Sequence, residues 1–270
     1  MNTKVMGCQM LAAINGNHIA ASTNARLQVT TEDVTTLGES PLVHDHMTGL
    51  IGWQLSVDSF YTLSGGALPV QALTGRQQVD VLMLIGTCTY TGKAYVTNYD
   101  VRGNVRGKVT VSMQLTGNGA ITQGAAYPSV ARPDNPHYVS GHEMMLYEGG
   151  TEARALLTEN SLAVSLQLDE VMHQNGWRRY RPVRYDWQVK ASALFSADSQ
   201  PPHLEVGRRA QVTTRIGFDS YTGTAVVTSA SLEGPLKQAV SAKIDAVGCS
   251  ELTTAEPSAK RFTLDFNLIF

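Results

Sequence analysis

Charge is scarce in this chain. Only 16% of its 270 residues are Asp, Glu, Lys or Arg, against roughly 25% in an average soluble domain. The charges nearly cancel: 21 basic residues stand against 23 acidic ones, a net of −2. That excludes the basic footprint of a dedicated nucleic-acid binder. Cysteine is also rare. Cys8, Cys88 and Cys249 form no C-x-x-C pair, and three scattered thiols make no disulfide framework. They read as small buried side chains in a protein made in a reducing compartment. Long apolar runs are missing as well. The stretch Met10–Ile14 is too short for the core of a signal peptide. Nothing approaches the roughly 20 apolar residues that span a bilayer. The expectation is a protein made in the cytosol and soluble before assembly, with no membrane partner.

Catalytic and cofactor signatures are lacking too. There is no G-x-x-x-x-G-K-[ST] phosphate loop and no G-x-S-x-G elbow, so Ser64-Gly65-Gly66 and Gly149-Gly150 read as turns. His44-Asp45-His46 could begin a metal site, since both residue types are common ligands. His137, His142 and His173 stand at no recognisable ligand spacing from it, so a polar loop tip is the better reading. No cofactor, metal or enzymatic activity is expected. Hydrophobic residues still reach 43%, which excludes a solvated disordered chain. A sparsely charged surface fits either cover by partners or a Ser/Thr/Gly-rich exterior.

What the chain does have is an internal repeat, the first thing to look for in a new fold. Residues 90–121 (YTGKAYVTNYDVRGNVRGKVTVSMQLTGNGAI) align without a gap on residues 221–252 (YTGTAVVTSASLEGPLKQAVSAKIDAVGCSEL), an offset of 131. Tyr90/Tyr221, Gly92/Gly223, Ala94/Ala225, Gly103/Gly234 and Gly117/Gly248 are among the identities. Upstream, Trp53-Gln54 matches Trp187-Gln188 at offset 134. Leu27, Val29 and Thr31 match Val164, Leu166 and Leu168 at offset 137, Glu32-Asp33 matches Asp169-Glu170, and Met10-Leu11 matches Met145-Leu146. The reading is domain 1 over residues 1–120, a Pro/Gly-rich linker over 121–141 with Pro128, Pro133 and Pro136, domain 2 over 142–255, and a C-terminal arm over 256–270 that alternates like one more strand.

Almost every segment has period two. Val79, Val81, Met83 and Ile85 alternate with other residues, as do Ala210, Val212, Thr214 and Ile216. So do Val109, Val111, Met113 and Leu115, matched by Val240, Ala242, Ile244 and Ala246. Val and Thr are abundant, as half-buried pleated surfaces favour. The helix signals are one short turn per copy. Pro69 to Thr74 is closed by Gly75, and Pro202 to Val206 by Gly207. The fold class is all-β: two tandem antiparallel sandwiches or partly open barrels, each with one short helix. Unpaired edges must be blunted or paired, and neighbouring subunits are a natural partner for them.

Three features together resemble the major tail tube proteins of tailed bacteriophages. The first is the YTGKAYVT block at 90–97, running through a polar loop into a strand that ends in LTGNGA at 115–120. The second is Glu32-Asp33-Val34 followed by a long polar loop. The third is the return of that loop through GLIGWQLSVD at 49–58. The resemblance covers about 110 residues of each copy and implies a β-sandwich with a short helix. Its subunits would close into a ring around a lumen, and the rings would stack into a tube that conducts DNA. Family rings hold six single-domain units, or three two-domain chains with pseudo-sixfold symmetry. The partners implied are other copies of the chain and other tail proteins (baseplate, terminator, tape measure or sheath), with DNA passing unbound. The location implied is the virion. Divergence between the copies also admits a tube-end role in a baseplate hub or tail tip.

Two loops are the candidate interfaces, and by resemblance they reach the next ring. Residues 35–51 carry Glu39, His44, Asp45 and His46. Residues 172–185 carry Trp177, Arg178, Arg179, Tyr180, Arg181, Arg184 and Tyr185, the residue types enriched at interface hot spots. Each could equally be a solvated hairpin tip. The Arg/aromatic cluster superficially suits single-stranded nucleic acid, but protein contact fits better in a slightly acidic chain. Two other classes compete with a structural role. A tandem module binding carbohydrate or protein would call for export, and a small β-barrel enzyme would call for converging titratable groups.

Overall fold

A computed structural model describes residues 10–19, 22–37, 44–62, 67–85, 88–124, 138–148, 151–152, 156–171, 175–194, 206–234 and 240–255. Among the described residues, fifteen strands form one sheet network in which every strand-to-strand ladder is antiparallel. The all-β expectation holds. The network is a single antiparallel sheet that does not close into a barrel.

The N-terminal half begins with β1 (Met10–Ile14) and β2 (Asn17–His18). They are joined through Asn15-Gly16, both at positive φ, as a two-residue hairpin turn requires. Then come β3 (Ser22–Leu37), β4 (His44–Phe60), helix α1 (Leu68–Thr74), β5 (Val79–Ile85), β6 (Cys88–Asn104) and β7 (Thr110–Gly124). The C-terminal half holds β8 (Met144–Glu148), β9 (Thr151–Glu152), β10 (Leu156–Val171), β11 (Arg179–Leu194), β12 (Arg209–Ile216), β13 (Asp219–Glu233), β14 (Ser241–Gly248) and β15 (Thr253–Ala255).

Neighbouring strands run β2-β1-β5-β6-β7-β4-β3 in the first half. They run β9-β8-β12-β13-β14-β11-β10 in the second. The two halves meet where β10 pairs with the far end of β6, from Ser165 opposite Asn98 to Glu159 opposite Asn104.

Each half is organised around a tryptophan lying on two glycines. Trp53 is 2% exposed and packs over Gly92 and Gly117, where an added Cβ would lie 2.6 Å and 2.1 Å from the nearest indole carbon. Its Nε1 donates to the Gly119 carbonyl at 2.9 Å. Trp187 sits over Gly223 and Gly248 in the same manner and donates to the Ser250 carbonyl at 2.8 Å. Both glycine identities in the sequence alignment are therefore explained by close approach of a ring to backbone. Around them pack alternating side chains such as Leu55, Val57, Val79, Met83, Val111 and Leu115.

Helix α1 begins with proline in its first turn and ends at Gly75, as expected. It buries Pro69, Val70, Ala72 and Leu73. The turn expected at 202–206 lies outside the described residues except for Val206, as does the C-terminal arm beyond 255.

Four expectations are adjusted. Strand β7 continues to Gly124, so the segment read as linker starts later than residue 121. At its far side Val139 is wholly buried and hydrogen bonded between Tyr61 and Val109. Strands enter both segments expected as loops, 35–51 and 172–185: β3 reaches Leu37, β4 starts at His44, and β11 starts at Arg179. Two long hairpins result because continued pairing satisfies backbone groups that a loop would leave to water. The repeat also has a different local register. Val29 lies opposite Trp53 and Val164 opposite Trp187, so Val29 corresponds to Val164 and Leu27 to Leu162. Likewise Met10 lies opposite Ile85 and Met144 opposite Ile216, so Met10 corresponds to Met144 rather than Met145.

Candidate assembly surfaces

The segment from Gly176 to Tyr180, which leads into β11, is docked on the other half of the chain. Ile51 bridges Trp177. The Ile51 amide donates to the Gly176 carbonyl and the Arg178 amide to the Ile51 carbonyl, each at 2.8 Å. The Gly119 amide donates to the Arg178 carbonyl at 2.9 Å, and the Tyr180 amide to Asn118 Oδ1 at 2.7 Å.

The Arg178 side chain lies against Gly52. It pairs with Glu32 from the first half and, at 3.4 Å, with Glu170 from its own hairpin. Hydrogen bonding with Tyr180, and then the charges of Glu170 and Glu32, hold its pKa above the ordinary arginine value. Two carboxylates on one guanidinium fix the approach of this segment, since Arg presents several donors in a rigid fork.

The other residues of this cluster divide by strand alternation. Tyr180 and Tyr185 are half-buried while Arg179, Arg181 and Arg184 are exposed. The Tyr185 hydroxyl accepts from the Leu252 amide at 3.0 Å. Arg181 approaches Asp169 at 3.5 Å, and Arg184 donates to Gln167 at 3.0 Å. Trp177 is half-buried against the core. On the other hairpin, His44, Asp45 and His46 lie on β4 opposite Leu37, Thr36 and Thr35. Glu39 lies outside the described residues.

A second contact between the halves was not legible in the sequence. The Tyr61 hydroxyl donates to Asp219 Oδ2 at 2.5 Å and lies 2.8 Å from the Tyr221 hydroxyl. Tyr61, Tyr99 and Tyr221 are each 1% exposed. Burial is the chief reason that all three phenols are pushed well above the ordinary tyrosine pKa, and the Asp219 charge adds to it.

Among the described residues no family of three or more His, Cys, Asp or Glu side chains gathers into a metal site, and no helix is long and apolar enough to cross a membrane.

No protein-family model matches the chain, and no curated protein matches it. Among solved structures, a chain of the virion of a native gene transfer agent particle aligns with a TM-score of 0.42 and 16% identity, covering 45% of this chain and 100% of its own. A chain of the tail of an empty gene transfer agent particle, determined with C6 symmetry, aligns with a TM-score of 0.35 and 15% identity, over 43% of this chain and 98% of its own.

Proposed function

We propose that this chain is a structural protein of a phage-type tail, built from two tandem tube-type units. Three chains close a pseudo-sixfold ring, rings stack into a tube, and DNA passes through the lumen without specific binding. One observation carries the reading. Two halves with the same strand order are joined edge to edge by β10 on β6. Units that join by continuing a sheet can go on adding units until a ring closes or a fibre grows.

The YTGKAYVT block and the tryptophan strand, on which the resemblance to tail tube proteins rests, support the tube assignment. They form the central strand β6 and the Trp53 platform. The low charge fits both extensive subunit contact and a lumen that does not retain DNA, because basic linings bind phosphates non-specifically. The exposed Arg179 and Arg181 on the hairpin are assigned to contacts between stacked rings. Other tail proteins would cap the ends of the tube.

Negative-stain electron microscopy of the purified chain over a concentration series tests this. Stacked rings or tubes with a central hole are expected. A monomer at every concentration, with no co-purification of tail proteins from infected cells, would overturn the reading.

A further inference from the structure

We infer that the outer edge of β3 pairs with the far end of β13 in a second copy of the chain, with Leu27 opposite Leu232 and Arg26 opposite Glu233. The inference rests on the assembly reading above and supplies its contact residues.

The argument starts from unequal burial at corresponding positions. Inside the chain, β10 covers the far end of β6, placing Leu162 opposite Val101 and Val164 opposite Tyr99. These four side chains are at most 2% exposed. The strand corresponding to β10 is β3, with Leu27 for Leu162 and Val29 for Val164. The strand corresponding to β6 is β13. Ser112 lies opposite Asp100 and Lys243 opposite Ser231, so Leu232 stands for Val101 and Ala230 for Tyr99.

Two of these counterparts are uncovered, while Leu27 is half-buried with one side against the core and Ala230 is half-buried. Val29 is 51% exposed and Leu232 is 54% exposed. Among the described residues, β3 pairs only with β4, and the far end of β13 pairs only with β14. Each is an open sheet edge bearing apolar side chains, a ready template for another strand.

Transferring the β10–β6 register to these edges fixes the pairing. Leu27 meets Leu232, Val29 meets Ala230, and Thr30 meets Ser229. Arg26 then falls opposite Glu233, whose side chain is 63% exposed and 3.8 Å from Lys243 on β14, a solvent-exposed pair that leaves it able to meet a second cation. Opposite charges directly across an antiparallel pair are favourable, and a slip of one residue would turn both apolar sets to the wrong face. The two edges differ and lie on different halves, so the contact is head-to-tail and continues from chain to chain.

The test uses the full chain with Cys8, Cys88 and Cys249 changed to Ser. Directly opposed residues have Cβ atoms within disulfide reach. Combining Leu27→Cys with Leu232→Cys should give, on mild oxidation, an interchain covalent ladder that stops at the closed ring. Gln28→Cys with Leu232→Cys, one residue out of register, should not. In parallel, Arg26→Glu should raise the concentration needed for assembly about fivefold, and adding Glu233→Arg should restore it. Assembly without the Leu27–Leu232 cross-link and without charge rescue would overturn this interface while leaving the tube reading standing. A wild-type chain that neither assembles nor cross-links would overturn both.

Discussion

The Tyr61 hydroxyl lies 2.5 Å from the Asp219 carboxylate, joining residues 158 positions apart across the seam between the two halves. The pair does not recur at the other end of the repeat. Asp219 corresponds to Cys88, since each ends the pairing opposite Ile216 or Ile85. Tyr99 corresponds to Ala230. The junction inside the chain is therefore chemically unlike the junction inferred between chains, so the internal seam has its own specificity.

Replacing Tyr61 by Phe should cost about 1.5–3 kcal/mol, because it removes a hydrogen bond to a buried carboxylate while leaving the ring in place. Urea unfolding followed by tryptophan fluorescence measures this. Unchanged stability would show that the seam does not depend on the Tyr61–Asp219 bond.

The same cluster predicts alkaline instability. Burial, with the nearby charge, raises the pKa of Tyr61, Tyr99 and Tyr221 in the folded chain above the ordinary value of 10.0. Below pH 10 these phenols are protonated in both states and contribute no pH dependence. Above it the unfolded chain loses protons that the folded chain keeps, so stability falls as pH rises. Each tyrosine contributes about 1.4 kcal/mol per pH unit. Tyr61→Phe should flatten the decline by about one such increment, as read from urea midpoints between roughly pH 10 and 11.

Gly117→Ala should destabilise the N-terminal half by about 3 kcal/mol, since the new methyl group would occupy the space of the Trp53 indole. Gly248→Ala should do the same against Trp187. By contrast Gly124→Ala meets nothing within 4 Å and should be close to neutral. Thermal unfolding of the three variants separates close packing from a general intolerance of substitution.

Changing Arg179 and Arg181 together to Glu should leave the fold intact and block stacking of rings, because both side chains are exposed. Circular dichroism should match the wild type while micrographs show rings without tubes. Arg178→Ala should act differently, loosening the docked segment. Hydrogen exchange should rise at the amides of Ile51 and Gly119, which bond this segment, with a global cost of about 1 kcal/mol or less for a partly solvated ion pair.

The glycine identities Gly92/Gly223 and Gly117/Gly248 are legible because each of the four is held against a tryptophan that leaves no room for a side chain. A requirement of that kind leaves identities at fixed spacing. The pairing of Leu27 with Val164 was two residues out for an equally physical reason. A strand of period two looks the same after a two-residue shift, and only its partner strand sets the register. The second hairpin reads as a loop in the sequence because Arg179 to Tyr185 is polar and aromatic, a composition that a solvated two-stranded ribbon shares with a loop. Arg178 with Glu32, and Tyr61 with Asp219, were hidden because they join residues 146 and 158 positions apart, a separation at which local pattern carries no information.

The most direct test of the account is the mass of the smallest stable assembly, read by mass photometry of the purified wild-type chain. The account predicts a species of three 29.2 kDa chains, whose six units complete one ring, and stacks of that species at higher concentration. A closed ring of six chains, or a monomer that never associates, would contradict it.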